Sequence, residues 1–396
     1  MNAVLKIAIV STYPPGTGTL NEYGYHLTKA FRQQPYISEL TIITDELPGQ
    51  LSYPPENGEE PGLRYVPAWR FNSWRNPWTI LKAVRKARPD IVLFNIQFLS
   101  FGDSKIAAAL GLLAPFLLRC FGYRSVVLMH NILEQVDLKK AGITQHRLSS
   151  SIYNVIGTVL SRFVLSADLV AVTISKYVRV LEEKYKKDNV ALVPHGSFET
   201  SPMPSQDLPP GPLRIMTFGK FGTYKKIEVL IEAAILFRQN SSLPVELVIA
   251  GTDSPNTKGY LGEMKKTYAH VPGLSFTGYV REEAVPALFA ESAVVVFPYS
   301  STTGSSGVLH QAGNYGRAVI LPDIGDLGEL IREEGYAGEF FEPDNAASLS
   351  TALQRVLSND GYRRELGIRN YFAAVSLPMK EIVDWYYLHF LDILGK

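Results

Sequence analysis

The chain has 396 residues, 46% of them apolar and 19% charged, which is ample for two ordinary domains and long for one compact core. Its formal charge is only +1, from 39 basic and 38 acidic side chains, which excludes the broad basic surface of a nucleic-acid binder. Cys120 is the sole cysteine, so an intrachain disulfide and a multi-cysteine metal site are excluded, and the seven scattered histidines show no metal-ligand spacing. A reducing, cytosolic setting fits this usage.

In chain order, Met1–Ser11 reads as a first strand, centred on Lys6–Val10, rather than a signal peptide. A helix is expected over Glu22–Phe31, a strand over Leu40–Thr44, a helix over Ile80–Ala87 and a strand over Asp90–Asn95. Ile106–Leu118 is the longest apolar stretch; broken by Pro115 and too short to span a bilayer, it reads as a helix buried against a sheet. The alternative for this region is an apolar ridge at a membrane surface, because Trp69–Arg70–Phe71–Asn72–Ser73–Trp74–Arg75 mixes aromatics and bases suited to lipid headgroups. Strands follow at Ser125–His130, Leu169–Thr173 and Val190–Val193. Short apolar strands alternating with helices imply a mostly parallel sheet covered on both faces.

Five prolines in Ser201–Pro212 mark an interdomain linker over 201–212, between an N-terminal domain of residues 1–200 and a C-terminal one of 213–377. The strand series then resumes at Arg214–Phe218, Glu246–Ala250, Leu274–Phe276, Ala293–Phe297 and Ala318–Leu321. Helices are expected at Ile227–Gln239, Val285–Glu291 and Val308–Tyr315. A last helix, residues 379–394, is expected to pack back on the N-terminal domain. The fold class is therefore α/β, with two doubly wound Rossmann-like domains facing a cleft.

Four stretches can carry chemistry. Tyr13–Thr19 joins a strand to a helix, and Gly18 and Thr19 stand where a backbone can approach an anion. His130 follows a buried strand, where open α/β sheets place ligands, and a satisfied structural histidine is the competing reading; His195 is similarly placed at a strand end, with orientation of the linker as its competing reading. In Phe218–Lys226, Gly219 and Gly222 keep a turn open while Lys220 and Lys225 supply charge for a diphosphate. In Thr302–Leu309, Gly304 and Gly307 expose amides, Ser305 and Ser306 offer hydroxyls, and the helix from Val308 adds a positive end; an ordinary N-cap competes. Gln311, one turn into that helix, has a carbonyl that can accept from a ribose hydroxyl.

Together these segments resemble the family-4 retaining glycosyltransferases, which have the GT-B fold. The resemblance is strongest from Gly219 to Glu329. It is carried by Phe276–Thr–Gly–Tyr–Val280, Val285–Pro–Ala–Leu288, Ala293–Val–Val–Val–Phe–Pro–Tyr299 and Gly316–Arg–Ala–Val–Ile320, with Asp323–Glu329 behind. It implies Gly18 and Thr19 beside the donor phosphates, Lys220 and Lys225 as the phosphate clamp, and His130 at the sugar and acceptor side. The family's Glu-x7-Glu signature is placed on Gly304 and Gln311, a divergent pair in which Gly304 supplies no carboxylate and the amides of Ser305 to Val308 would take over diphosphate binding.

The expected reaction moves a hexosyl group from a GDP- or UDP-sugar to a hydroxyl on a glycan, glycolipid or small molecule, with retention and without metal or cofactor. Cell-surface polysaccharide synthesis in the cytoplasm, at the inner face of a membrane in the glycolipid case, is the setting such an enzyme implies. No nucleic-acid partner is expected. The competing functions are a noncatalytic nucleotide-sugar-binding regulatory subunit and a sugar-nucleotide epimerase or hydrolase. A dinucleotide oxidoreductase is disfavoured, since no strand is followed by GxGxxG and a ribose-binding acid.

Overall fold

The computed structural model describes residues 4–16, 18–54, 62–132, 134, 147–198, 202–254, 257–302 and 305–396; for 147–155 and 282 it describes the backbone alone. The chain divides into two units, one made of residues up to 198 with 379–396, the other of the described residues from 202 to 378.

The first unit is built on seven parallel strands: β1 (Leu5–Val10), β2 (Ile37–Asp45), β3 (Leu63–Trp69), β4 (Ile91–Ile96), β5 (Ser125–Met129), β6 (Leu169–Val172) and β7 (Val190–Leu192). Their order is β3-β2-β1-β4-β5-β6-β7. The chain therefore winds outward from β1 in one direction and from β4 in the other, which leaves a switch point between these two strands. Alternate residues of β1 feed opposite faces: Ala8 and Val10 join one apolar cluster, Ile7 and Ile9 the other. Both faces are buried, as a parallel sheet requires.

The second unit repeats the plan with six parallel strands: β8 (Leu213–Phe221), β9 (Val245–Asp253), β10 (Leu274–Gly278), β11 (Ser292–Val296), β12 (Ala318–Pro322) and β13 (Glu339–Phe341). The order β10-β9-β8-β11-β12-β13 puts its switch point between β8 and β11. Residues 202–212 run along this unit. Arg317, 1% exposed, donates from Nε to the Tyr315 carbonyl (2.7 Å), from Nη1 to that of Ala290 (3.1 Å) and from Nη2 to that of Ser205 (2.5 Å). Arg364 adds an ion pair to Asp207 at 3.0 Å.

The final helix, Met379–Leu394, returns to the first unit. Its Met379, Val383, Tyr386 and Phe390 enter the cluster that holds Ile7 and Ile9. Phe390 stacks on Phe31 at 6.1 Å and Tyr387 on Tyr36 at 3.8 Å, while the Met379 amide donates to the Ser197 carbonyl at 2.9 Å.

Three local expectations need correction. Ile106–Leu118 is two helices, Lys105–Gly111 and Ala114–Cys120, with Pro115 in the first turn of the second, where its missing N–H costs nothing. Trp69, read with a surface stretch, instead closes β3 and is buried. Residues 219–221, read as a turn, continue β8.

Candidate functional site

In the second unit, the segments that leave β8 and β11 meet beside the switch point. The Lys226 amide donates to the Pro298 carbonyl (3.2 Å), the Ser300 amide donates to that of Tyr224 (2.9 Å), and Lys225 bridges Tyr299 in antiparallel fashion. Two stretches 72 to 76 residues apart in the chain are thus pinned together outside the strand ends, where open α/β sheets hold ligands.

Lys225 and Lys220 supply the charge. The Lys225 ammonium lies 4.7 Å from the Tyr299 ring centroid and curls back over Gly219, where an added Cβ would stand 3.1 Å from its Nζ. Gly219 also has φ +140°, so glycine serves both the backbone and the close approach. Lys220, on β8, is exposed along its side chain. Desolvation around its ammonium, and next the neighbouring charge of Lys225, hold its pKa below the ordinary lysine value. Two cations close enough to repel one another form a site that an anion relieves.

Further along the chain from β11 comes the helix Gly307–Asn314. Ser306 is its N-cap, and its Oγ accepts from the Leu309 amide at 3.4 Å. The N-cap reading of Ser306 therefore holds: that oxygen already serves the backbone, and only its proton is left to give. Among the described residues the amides of Gly307 and Val308 have no backbone acceptor, which leaves two donors at the positive helix end. Gln311 is buried. Gly304 lies outside the described residues. Gly304 and Gln311 also enclose six residues, one fewer than the signature they were matched to, so the pair does not keep its register.

Ser305 carries more than its sequence suggests. Its Oγ lies 3.0 Å from His310 Nε2, and His310 Nδ1 lies 2.8 Å from the Tyr336 hydroxyl and 3.7 Å from Glu334 Oε2. His310, Tyr336 and Glu334 are all buried. Burial, then the charge of Glu333, push the Glu334 carboxyl up to about 8. A raised carboxyl means the folded chain binds the proton that the unfolded chain has released, so stability falls as pH rises from the ordinary glutamate range to about 8. Glu334→Gln is expected to remove this slope. Urea melts of both proteins between pH 6 and pH 8 should diverge by about 1.4 kcal/mol per pH unit, the variant gaining; parallel profiles would contradict the assignment.

In the first unit, His130 follows β5 and its Nε2 lies 2.6 Å from Asn95 Oδ1. Asn95 Nδ2 donates to Ser11 Oγ (2.9 Å), which donates to the Thr12 carbonyl (2.8 Å). This chain fixes the amide orientation, so Nε2 of His130 carries the proton and Nδ1 is the acceptor. Burial, then His195, hold His130 well below the ordinary histidine range, so it is neutral. Tyr23 stands edge-on between His130 (4.6 Å) and His195 (4.7 Å) and donates its hydroxyl to the His195 carbonyl at 3.0 Å. His26 stacks on Phe198 at 4.2 Å. Gly18 is held where a Cβ would fall 2.3 Å from Thr12 Cγ2, and Thr19 is exposed beside it.

Asn95, Tyr23, His310, Tyr336 and Glu334 escaped the sequence reading. Asn95 alone had a visible signal, as the one polar residue in the strand Ile–Val–Leu–Phe–Asn–Ile.

Residues 212–359 match the model of the family described as Glycosyl transferases group 1. No curated protein matches the chain by sequence. Among solved structures, the chain is similar to a sucrose-phosphate synthase from Thermosynechococcus elongatus, with a TM-score of 0.76 at 17% identity over 98% of this chain and 99% of that one. It is also similar to Anabaena HepE in complex with UDP-glucose, with a TM-score of 0.69 at 14% identity over 98% and 99%. OtsA in its apo form gives 0.67 at 12% identity over 97% and 99%. The chain thus has the two-domain α/β fold of GT-B proteins, and most of its second unit matches the model of the glycosyl transferases group 1 family.

Proposed function

We propose that the protein is a retaining glycosyltransferase of the family-4 type, moving a hexosyl group from a nucleoside-diphosphate sugar to an acceptor hydroxyl. The observation that supports this most is the pinning of the lysine-bearing segment after β8 to residues 298–300 after β11 at one sheet switch point, inside the segment that matches the family and that also holds the helix Gly307–Asn314. As the bond between sugar and diphosphate breaks, negative charge grows on the leaving oxygens. Two ammonium groups and the free helix-end amides meet that charge without reorganisation. With that countercharge in the protein, transfer is expected to proceed without a divalent metal, and EDTA should leave turnover unchanged.

HepE is seen with UDP-glucose, so a UDP-sugar is the first donor to try, with GDP-sugars next. Gly18 and Thr19 are assigned to the donor phosphates and Gln311 to the ribose. The acceptor is a glycan, glycolipid or small glycoside, in cell-surface polysaccharide synthesis on the cytoplasmic side. His130, neutral and with Nδ1 as acceptor, is suited to take a hydrogen bond from a sugar or acceptor hydroxyl, not to act as the general acid. His130→Ala is expected to lower kcat by about 10- to 100-fold with UDP affinity unchanged; unchanged transfer in the folded variant would remove it from the site.

The deciding experiment is a panel of UDP- and GDP-sugars with and without acceptors, with product detection. Glycosylated acceptor of retained configuration supports the reading. Epimerised donor or free sugar alone would point to the epimerase or hydrolase. Binding without any product would favour the noncatalytic subunit, a reading supported by the absence of a carboxylate from residues 302–311.

A further inference from the structure

From Leu63 to Arg124 the chain carries ten Lys and Arg against two Asp, a net +8 in a protein whose total is +1. Three of those bases, Arg64, Arg70 and Arg124, pair with Glu39, Glu46 and Asp168 from other parts of the first unit. Arg75, Lys82, Arg85 and Lys86 are exposed and have no carboxylate at ion-pair distance among the described residues.

The same region holds large apolar side chains turned outward. Trp74 is 60% exposed, Trp78 57% and Ile106 72%, with Phe71 and Phe121 also exposed. They are neighbours by structure. The Asn72 amide donates to the Phe101 carbonyl, and Asn72 Oδ1 accepts from the Ser104 amide, both at 2.9 Å. The loop bearing Phe71 and Trp74 is thereby fixed to the start of the helix Lys105–Gly111, which bears Ile106. In the helix Asn76–Ala87, Ile80, Leu81, Ala83 and Val84 face the core, while Trp78, Lys82, Arg85 and Lys86 share the opposite face at three- and four-residue spacing. Arg75 lies 5.0 Å over the Trp74 ring and Arg85 4.4 Å over that of Phe121, so each base sits beside an aromatic.

Exposed apolar groups rimmed by uncompensated positive charge are costly in water unless something covers them. We propose that this face docks on an anionic lipid surface: Phe71, Trp74, Trp78 and Ile106 enter the headgroup boundary while the bases meet lipid phosphates. Indole rings prefer that boundary, and long basic side chains can lay their stems on the apolar layer with their heads at phosphate level. Charge complementarity selects the occupant. A nucleic acid would use the bases but give Ile106 no partner, and an apolar protein groove would leave the bases unanswered. Among the described residues no helix is long and apolar enough to cross a membrane, so the attachment is peripheral. The inference rests on the first unit alone and does not depend on donor chemistry. It gives the proposed transferase access to a lipid-borne acceptor.

The test is cosedimentation of the full chain with vesicles of equal phosphatidylcholine and phosphatidylglycerol, against phosphatidylcholine alone, at low and high salt. Binding to the anionic vesicles alone, weakened by salt, is expected. Lys82→Ala/Arg85→Ala/Lys86→Ala should lower partitioning about a hundredfold, at about fivefold per base. Trp74→Ala/Trp78→Ala should lower it at least about tenfold and abolish fluorescence quenching by brominated lipid. Both variants change exposed side chains only, and their UDP affinity should equal that of the unaltered chain. No vesicle binding, binding indifferent to both variants, or tighter binding to a single-stranded oligonucleotide than to the vesicles would overturn the proposal. Loss of UDP binding with vesicle binding intact would instead count against the donor site alone.

Discussion

Lys225→Ala is expected to weaken UDP binding by about 10- to 150-fold, the worth of one charge-assisted hydrogen bond to phosphate. Lys220→Ala should behave similarly, and both should leave the melting temperature nearly unchanged, because neither ammonium has a carboxylate partner among the described residues to lose. The double variant should exceed the product of the two losses. Each lysine now raises the cost of the other's charge, so removing one relieves its neighbour. The repulsion gives a second signature. Desolvation and Lys225 lower the Lys220 pKa, and a bound diphosphate opposes both effects, so binding should draw in protons near the lowered pKa. Calorimetry in buffers of different ionisation enthalpy reads that uptake directly, and Lys220→Ala should abolish it. Unaltered affinity in both folded single variants would refute the phosphate clamp.

The largest effect on stability is expected at Arg317. Its guanidinium is fully buried and anchored on three carbonyls from Ser205, Ala290 and Tyr315, with no carboxylate among the described contacts. Burial, then Arg363 and Arg364, lower its pKa to about 10, so the charge is held against its environment by those hydrogen bonds. Arg317→Ala removes a fully buried side chain, leaves three carbonyls without their donor and opens a cavity beneath the 202–212 segment, and should cost about 3 kcal/mol or more. In a unit of this size that is a drop of about 6–12 °C in melting temperature. Lysine is not expected to restore it, because one ammonium cannot reach three carbonyls in a planar fork. A drop under about 2 °C would contradict this account of the residue.

These three residues illustrate how differently sequence exposes function and structure. Lys220 and Lys225 were legible because they stand at the end of an apolar strand, and strand ends are where such folds bind ligands. Arg317 lay inside a family-like block, yet nothing local says that an arginine between glycine and an apolar strand is buried. Most strands were visible as β-branched runs. β3 was not, since Leu–Arg–Tyr–Val–Pro–Ala–Trp mixes charge and proline, which an edge strand tolerates. β13, three residues long at the other sheet's edge, left too short a pattern. The helices Ala346–Leu357 and Asp360–Val375 were not read either, although Asn345 and Asn359 cap them, with side chains that accept from the Ser348 (2.9 Å) and Tyr362 (3.0 Å) amides. Ser306 used the same device, and there local capping and ligand binding could not be told apart from spacing.

The relays were beyond reach for a physical reason. His310 and Ser305 are near in sequence, but Tyr336 and Glu334 arrive from the end of the next helix, Gly325–Glu334, and only packing brings them under the same turn. Asn95 reaches His130 across adjacent strands, a pairing set by the β4–β5 register.

The most direct test of the central claim is the crystal structure of the chain with UDP. The diphosphate should lie within hydrogen-bonding distance of Lys220 and Lys225 and against the Gly307 and Val308 amides, with uracil and ribose on the second unit. Base and ribose held wholly by residues 4–198, with no phosphate contact from Lys220, Lys225 or residues 305–308, would contradict it.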